Sequence, residues 1–166
     1  MSARDNILNR LRAVATDEVA KPQIDVTPIR FDDRVAHFAD MVKTSIEEKA
    51  DVIFSGAGLP LNLPSFLNSD STTKLVPIVS SARALKVICR RWMGEYNYLP
   101  DAVVVEGPKA GGHLGYSHEQ INDPAYSLES IVPEVVEAAR EIGEKHNKHI
   151  PVIAGGGIYT GEDILK

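Results

Sequence analysis

Residues 101–115 read DAVVVEGPKAGGHLG, and the fold turns on this stretch. An apolar run, residues 102–105, stops at Glu106-Gly107-Pro108; a loop follows in which Gly111-Gly112 leads into His113, with Gly115 just beyond. A Val-rich run bounded by Gly and Pro predicts a strand buried on both faces, as in a parallel sheet. Glycines beyond such a strand let the backbone approach a ligand closely, because no Cβ intervenes. In α/β sheets the chemistry sits at the carboxyl ends of the strands, which is where His113 falls. An ordinary βα turn with an exposed histidine has the same spacing, so the neighbouring segments must decide.

Outward from this strand the pattern repeats. Residues 52–54 and 75–79 predict strands on one side and residues 150–154 on the other, separated by helical patterns. Ser80 or Ser81 can cap a helix through about Trp92, and Pro77 suggests a strand start or an unpaired amide. A helix over residues 128–145 turns Val132, Val135, Val136, Ala139 and Ile142 inward, with Pro133 tolerable in its first turn. Asp32 or Asp33 can cap a helix to about Lys49 with Val35, Phe38, Val42 and Ile46 on its buried side. A last helix begins at Glu162. Four strands alternating with helices give an α/β fold with a parallel sheet. Right-handed crossovers then bring the four post-strand loops to one rim. Three of those loops are glycine-rich: Gly56/Gly58, Gly107/Gly111/Gly112/Gly115 and Gly155/Gly156/Gly157/Gly161.

Residues 2–14 predict a short amino-terminal helix with Ile7, Leu8, Leu11 and Val14 as its stripe, and residues 16–31, with Pro22 and Pro28, predict a linker. The expected organisation is a helical leader and linker over residues 1–36 and a parallel-sheet α/β unit over 37–166. At 166 residues the chain is long enough for a core but short of a complete (β/α)8 barrel of about 250. The net charge of −5 and the lack of a dense basic face argue against nucleic acid as a partner. With Cys89 as the single cysteine there is no disulfide framework within one chain, and its helical position predicts a packed residue rather than a nucleophile. No apolar run has membrane-spanning length and no signal-peptide core is seen, so the expectation is a cytoplasmic enzyme or binding domain.

The rim loops carry the candidate chemistry. The run of Gly155, Gly156 and Gly157 before a helix start can cradle a phosphate on backbone amides, or form a tight turn of small residues. It is neither a G-x-G-x-x-G fingerprint nor a P-loop. His113 can act as a general base, since imidazole titrates near neutral pH. Glu106 either bonds a ligand ring or caps a backbone amide, and Lys109 either contacts an anion or faces solvent. His37, His118, His146 and His149 lie in helical or charged surroundings and read as surface; no metal site is expected.

With those residues laid out, VIFSGAGLPLNLP, KLVPIVSSARALKVICRRW, PDAVVVEGPKAGGHLGY and IPVIAGGGIYTGEDI resemble successive segments of the nitronate monooxygenase family, formerly the 2-nitropropane dioxygenases. That family also includes flavin-dependent enoyl-ACP reductases. The resemblance covers roughly residues 38–166 and implies a TIM-type barrel with non-covalent FMN. It makes His113 the active-site base, Gly111 and Gly112 the backbone that admits the isoalloxazine, and Gly156 and Gly157 the glycines at the FMN phosphate. Glu106 stands where many members carry a flavin-bonding Gln. The implied reaction is oxidation of a nitronate with molecular oxygen; the alternative is reduction of an enoyl thioester by NAD(P)H, and a third reading is a non-catalytic fragment that associates with another chain. By the same resemblance the family's opening strands, with their Gly-Gly-Met segment, and its next strand are missing, so a homodimer completing the sheet is a further expectation. Residues 1–38 weakly resemble the amino terminus of lactate-utilisation protein C, so the expectation is a leader over residues 1–36 foreign to a partial FMN-binding (β/α) barrel over 37–166.

Overall fold

The structure, a computed structural model, describes residues 32–113 and 115–165. The amino-terminal helix and linker expected from the sequence lie outside the described residues. From Asp33 onward the chain forms one compact unit. Its elements are α1 (Arg34–Glu47), β1 (Val52–Ser55), β2 (Lys74–Val79), α2 (Ala82–Tyr96), β3 (Val103–Glu106), α3 (Leu128–His146), β4 (Val152–Gly155) and α4 (Gly161–Ile164), with short 3-10 turns at Leu63–Phe66, Gln120–Asn122 and Pro124–Tyr126.

The four strands are parallel and follow chain order, β1-β2-β3-β4, as the alternation of strands and helices predicts. Pro77 lies inside β2, not at its start. Pairing with β1 ends at Pro77 and pairing with β3 begins at Ile78, so the residue without an N–H sits where β2 passes from one neighbour to the other. Asp33 caps α1, its Oδ1 accepting from the amides of Val35 and Ala36 at 2.9 and 3.0 Å. Ser81 caps α2 and Ser127 caps α3, and both helices end on an asparagine in the left-handed region, Asn97 and Asn147. Pro133 falls in the second turn of α3, where the ring forfeits the bond to the Glu129 carbonyl rather than an already unpaired first-turn amide.

One face of the sheet packs on the helices. Leu75, Val79, Val103 and Val105 meet Leu85, Ile88 and Trp92 of α2 and Ile131 and Val135 of α3. Cys89 belongs to this layer, and burial pushes its thiol up to about 12, which keeps it inert at neutral pH. The other face corresponds to a barrel interior, and here the expectation of strands buried on both sides does not hold. Val104 and Glu106 are half-buried, and Phe54 and Ile153 are 56% and 44% exposed. At β2 that face is covered, with Val76 buried, but four strands do not curl far enough to cover it at β1 and β4. The α1 stripe is likewise only half covered: Val42 and Ile46 are buried, but Val35 and Phe38 are exposed. In α3 Val136 is exposed, and Ile131 and Ala138 take its place in the core. No helix among the described residues is long and apolar enough to cross a membrane.

The amino ends of the strands are tied by a polar cluster. Asp101 Oδ2 accepts from the Leu75 amide at 3.0 Å and from the Tyr98 hydroxyl at 2.5 Å. Lys148 donates to Asp101 Oδ1 at 3.1 Å and to the Leu99 carbonyl at 2.6 Å, with its ammonium 5.1 Å from the Tyr98 ring centre. The cluster therefore joins β2 to the segments entering β3 and β4. Burial pushes the Asp101 carboxyl up, but the Tyr98 hydroxyl, the Leu75 amide and Lys148 together outweigh it and hold the group below its ordinary value of 3.8. A depressed carboxyl stabilises the fold above its unfolded pKa and loses that contribution as pH falls through the folded value. Asp101→Asn is expected to cost about 1–3 kcal/mol at neutral pH. Chemical denaturation of both proteins at a series of pH values should show the difference shrinking below the ordinary carboxylate range; a difference independent of pH would show that the ionised group is not what matters.

Candidate functional site

The loops after β3 and β4 meet on the carboxyl rim. Gly156 and Gly157 both have positive φ, +91° and +84°, and a Cβ on Gly156 would lie 2.7 Å from the Ala110 amide nitrogen. A Cβ on Gly157 would lie 3.1 Å from both Cβ and Cδ of Lys109. Gly156 is thus favoured by close packing on the Ala110 backbone and by its positive φ, and Gly157 by its positive φ, before any ligand is considered. The amides of Gly156, Gly157 and Ile158 donate to no described residue. Those of Tyr159 and Thr160 are engaged by Asp163 Oδ2 at 3.1 and 2.9 Å, in a capping box with Thr160. With α4 only one turn long as described, the anion-binding capacity lies in the glycine turn itself and not in a helix dipole.

The β3 loop arches from Lys109 to Gly115 and is held at both feet. At the front, the Ala110 amide donates to the Gly107 carbonyl at 3.0 Å and packs on Gly156. At the rear, Gly115 presses so closely on Ser80 that a Cβ would collide with the hydroxyl. Tyr116 closes the clip. Its hydroxyl lies 2.7 Å from the Glu106 carbonyl oxygen and 3.2 Å from that of Ser80, joining the carboxyl ends of β3 and β2. Burial, reinforced by the charge of Glu106, pushes the Tyr116 phenol up to about 12, so it remains a donor across the physiological range. Between these feet Gly111, Gly112 and His113 are exposed. A Cβ on Gly111 or Gly112 would meet nothing within 4 Å, and Gly112 has φ +85°. Glu106 is half-buried at the end of β3, opposite Gly155 in the ladder and in phase with Val104 on the concave face.

The structure thus brings Gly156 and Gly157 against Lys109 and Ala110, and pins the His113 arch beside the same rim. Sequence reasoning singled out the glycines and the histidine and missed Tyr116. The available signal was an aromatic hydroxyl three residues after the histidine, in a loop otherwise poor in large side chains. On the outer side of the glycine turn a groove of about 540 Å³ lies between α3 and β4, lined by Leu128, Val132, Ala154, Gly157, Ile158 and Ile164 among others. Lys109 and Gly156 line it as well, whereas His113 does not.

The family profile for nitronate monooxygenase matches residues 3–165, beginning ahead of the motif-bearing stretch that starts at Phe38. The chain belongs to the nitronate monooxygenase family. Probable nitronate monooxygenases from Staphylococcus aureus strains JH9 and Newman are each 38% identical to it over 66 residues, 39% of this chain. That aligned stretch spans 16% of the length of those relatives. Nitronate monooxygenases have a TIM-barrel-type fold, and four parallel strands in sequential order are a sector of such a barrel. Membership suggests flavin-dependent oxidoreductase chemistry, with FMN as the flavin.

The residues present fit that group at two places. Three consecutive amides on a glycine turn that donate to no described residue suit a phosphate, and the open space over Gly111 and Gly112 leaves room for a flat ring against the backbone.

Proposed function

We propose that this chain carries the FMN-contacting rim of an oxidoreductase that oxidises small nitronates with molecular oxygen. The observation that carries the reading is the contact between the two glycine loops, which sets the amides of the β4 turn that donate to no described residue beside the pinned arch bearing His113. In this reading Gly156 and Gly157 hold the phosphate, Gly111 and Gly112 admit the ring, and Glu106 faces the ring from the concave side. Bound FMN would supply a two-electron acceptor for the substrate, with molecular oxygen as the final oxidant. His113, exposed on the arch, acts as base on the parent nitroalkane, taking the proton from the carbon beside the nitrogen to leave the nitronate that is oxidised. Four strands supply only part of a barrel rim, and β1 and β4 are the edges of the described sheet.

Substituting Gly156 or Gly157 tests this poorly, because a Cβ there disturbs loop packing with or without a ligand. Gly111→Ala is clean: the added methyl meets no protein atom, so the fold should be preserved. Titration of the purified chain with FMN, followed by flavin fluorescence, should saturate. Gly111→Ala should weaken binding by roughly tenfold or more, as overpacking against a ring costs about 1–3 kcal/mol. Absence of saturable FMN binding by the folded wild-type chain would overturn the reading.

A further inference from the structure

We propose that Lys109 supplies the countercharge for the phosphate at the Gly156-Gly157 turn, and so makes this rim select a phosphorylated flavin over an unphosphorylated one. The inference rests on the FMN reading above and assigns a role that the glycines alone do not fill.

The geometry starts from the stem. Cβ and Cδ of Lys109 both lie 3.1 Å from where a Gly157 Cβ would be, so the aliphatic chain lies along the turn and not away from it. The ammonium is two bonds beyond Cδ and stays within reach of an anion seated on the amides of Gly156, Gly157 and Ile158. Long basic side chains pack their methylenes on a surface in this way while keeping the charge in solvent.

The charge balance of the surroundings sharpens the point. Lys109 is the one cation among the residues lining the outer groove, which also include Asp123, Glu129 and Asp163. Asp163 is committed to the amides of Tyr159 and Thr160 and to the Thr160 hydroxyl, and Asp123 accepts from the Ala125 amide at 2.9 Å. Lys109 forms no ion pair with a described residue despite these neighbours. The amides of Gly156, Gly157 and Ile158 beside the Lys109 stem are therefore the seat for a phosphate, with the lysine offsetting the carboxylates nearby. A neutral amide cradle binds a dianion less well than one with a fixed cation beside it, because charge-assisted hydrogen bonds are about twice as strong as neutral ones.

The test is a fluorescence titration of the full chain and of Lys109→Met with FMN and with riboflavin, at low and at high salt. Methionine keeps an unbranched stem to cover Gly157 and removes only the charge. The wild type should bind FMN on the order of tenfold or more tighter than riboflavin, with the preference shrinking as salt rises. Lys109→Met should lose most of that preference with riboflavin affinity unchanged, and Lys109→Arg should restore it. An undiminished FMN preference in Lys109→Met would overturn the proposal, as would an equal loss of both flavins, which would make Lys109 a packing residue. If the wild type binds riboflavin and FMN equally, the phosphate role fails while flavin binding stands; if it binds neither, the FMN reading fails and this inference with it.

Discussion

Replacing His113 by alanine is expected to lower turnover of a neutral nitroalkane by about 10²–10⁴-fold, the range typical of a lost general base. Thermal stability and FMN affinity should stay close to wild type. The imidazole is exposed and makes no hydrogen bond to a described residue, so its removal opens no cavity and leaves no donor unpaired. The arch that carries it is held by other groups: Ala110 on Gly156, Gly115 on Ser80, and the Tyr116 hydroxyl on the Glu106 and Ser80 carbonyls. Loss of the ring therefore removes chemistry without moving the loop. Oxygen uptake with a small nitroalkane, with the preformed nitronate that needs no base as control, measured alongside a melting curve, separates the two effects. Turnover unchanged in His113→Ala would remove the histidine from the mechanism; turnover and melting temperature falling together would mean that the residue holds the rim and does not act on substrate.

Much of this arrangement is legible in the sequence, for reasons that differ from residue to residue. Val103, Val104 and Val105 between Pro100 and Gly107 declare a strand because branched side chains and bounding turn residues act locally. Ser81, Asp33 and Ser127 declare helix starts for the same reason, each capping an amide two or three positions on. The rim glycines are readable because nothing but a close approach or a positive φ requires them in such density. The groups that join distant segments are not readable. Tyr116 bonds carbonyls 10 and 36 residues away, and Asp101 receives an amide 26 residues back and an ammonium 47 residues ahead. Nothing in the local pattern of a Tyr or Asp specifies those partners. Periodicity also marks which residues share a helix face without saying how far a neighbour covers it, so Val35 and Phe38 follow the stripe of Val42 and Ile46 yet remain exposed.

The largest expected loss of stability comes from Trp92→Ala, about 3–5 kcal/mol. Trp92 is fully buried on the face of α2 that also carries Leu85, Ile88 and Cys89, and its ring lies 6.0 Å from that of Tyr98 at a tilt of 58°. Its Nε1 donates to the Pro60 carbonyl at 2.9 Å. That bond ties the helix layer to the segment leaving β1, the third glycine-bearing loop of the rim. Truncation therefore opens a cavity and frees a rim loop together. Small domains are stable by only about 5–15 kcal/mol, so the loss is a large share of the total. Trp92→Phe separates the two contributions: most of the ring volume remains, the Pro60 carbonyl loses its donor, and about 1–3 kcal/mol should be lost. Trp92 is the sole tryptophan, so unfolding of both variants has to be followed by circular dichroism against urea. A loss in Trp92→Phe as large as in Trp92→Ala would place the energy in the bond to Pro60. A negligible loss in Trp92→Phe would place it in packing and show the β1 loop to be held by other contacts.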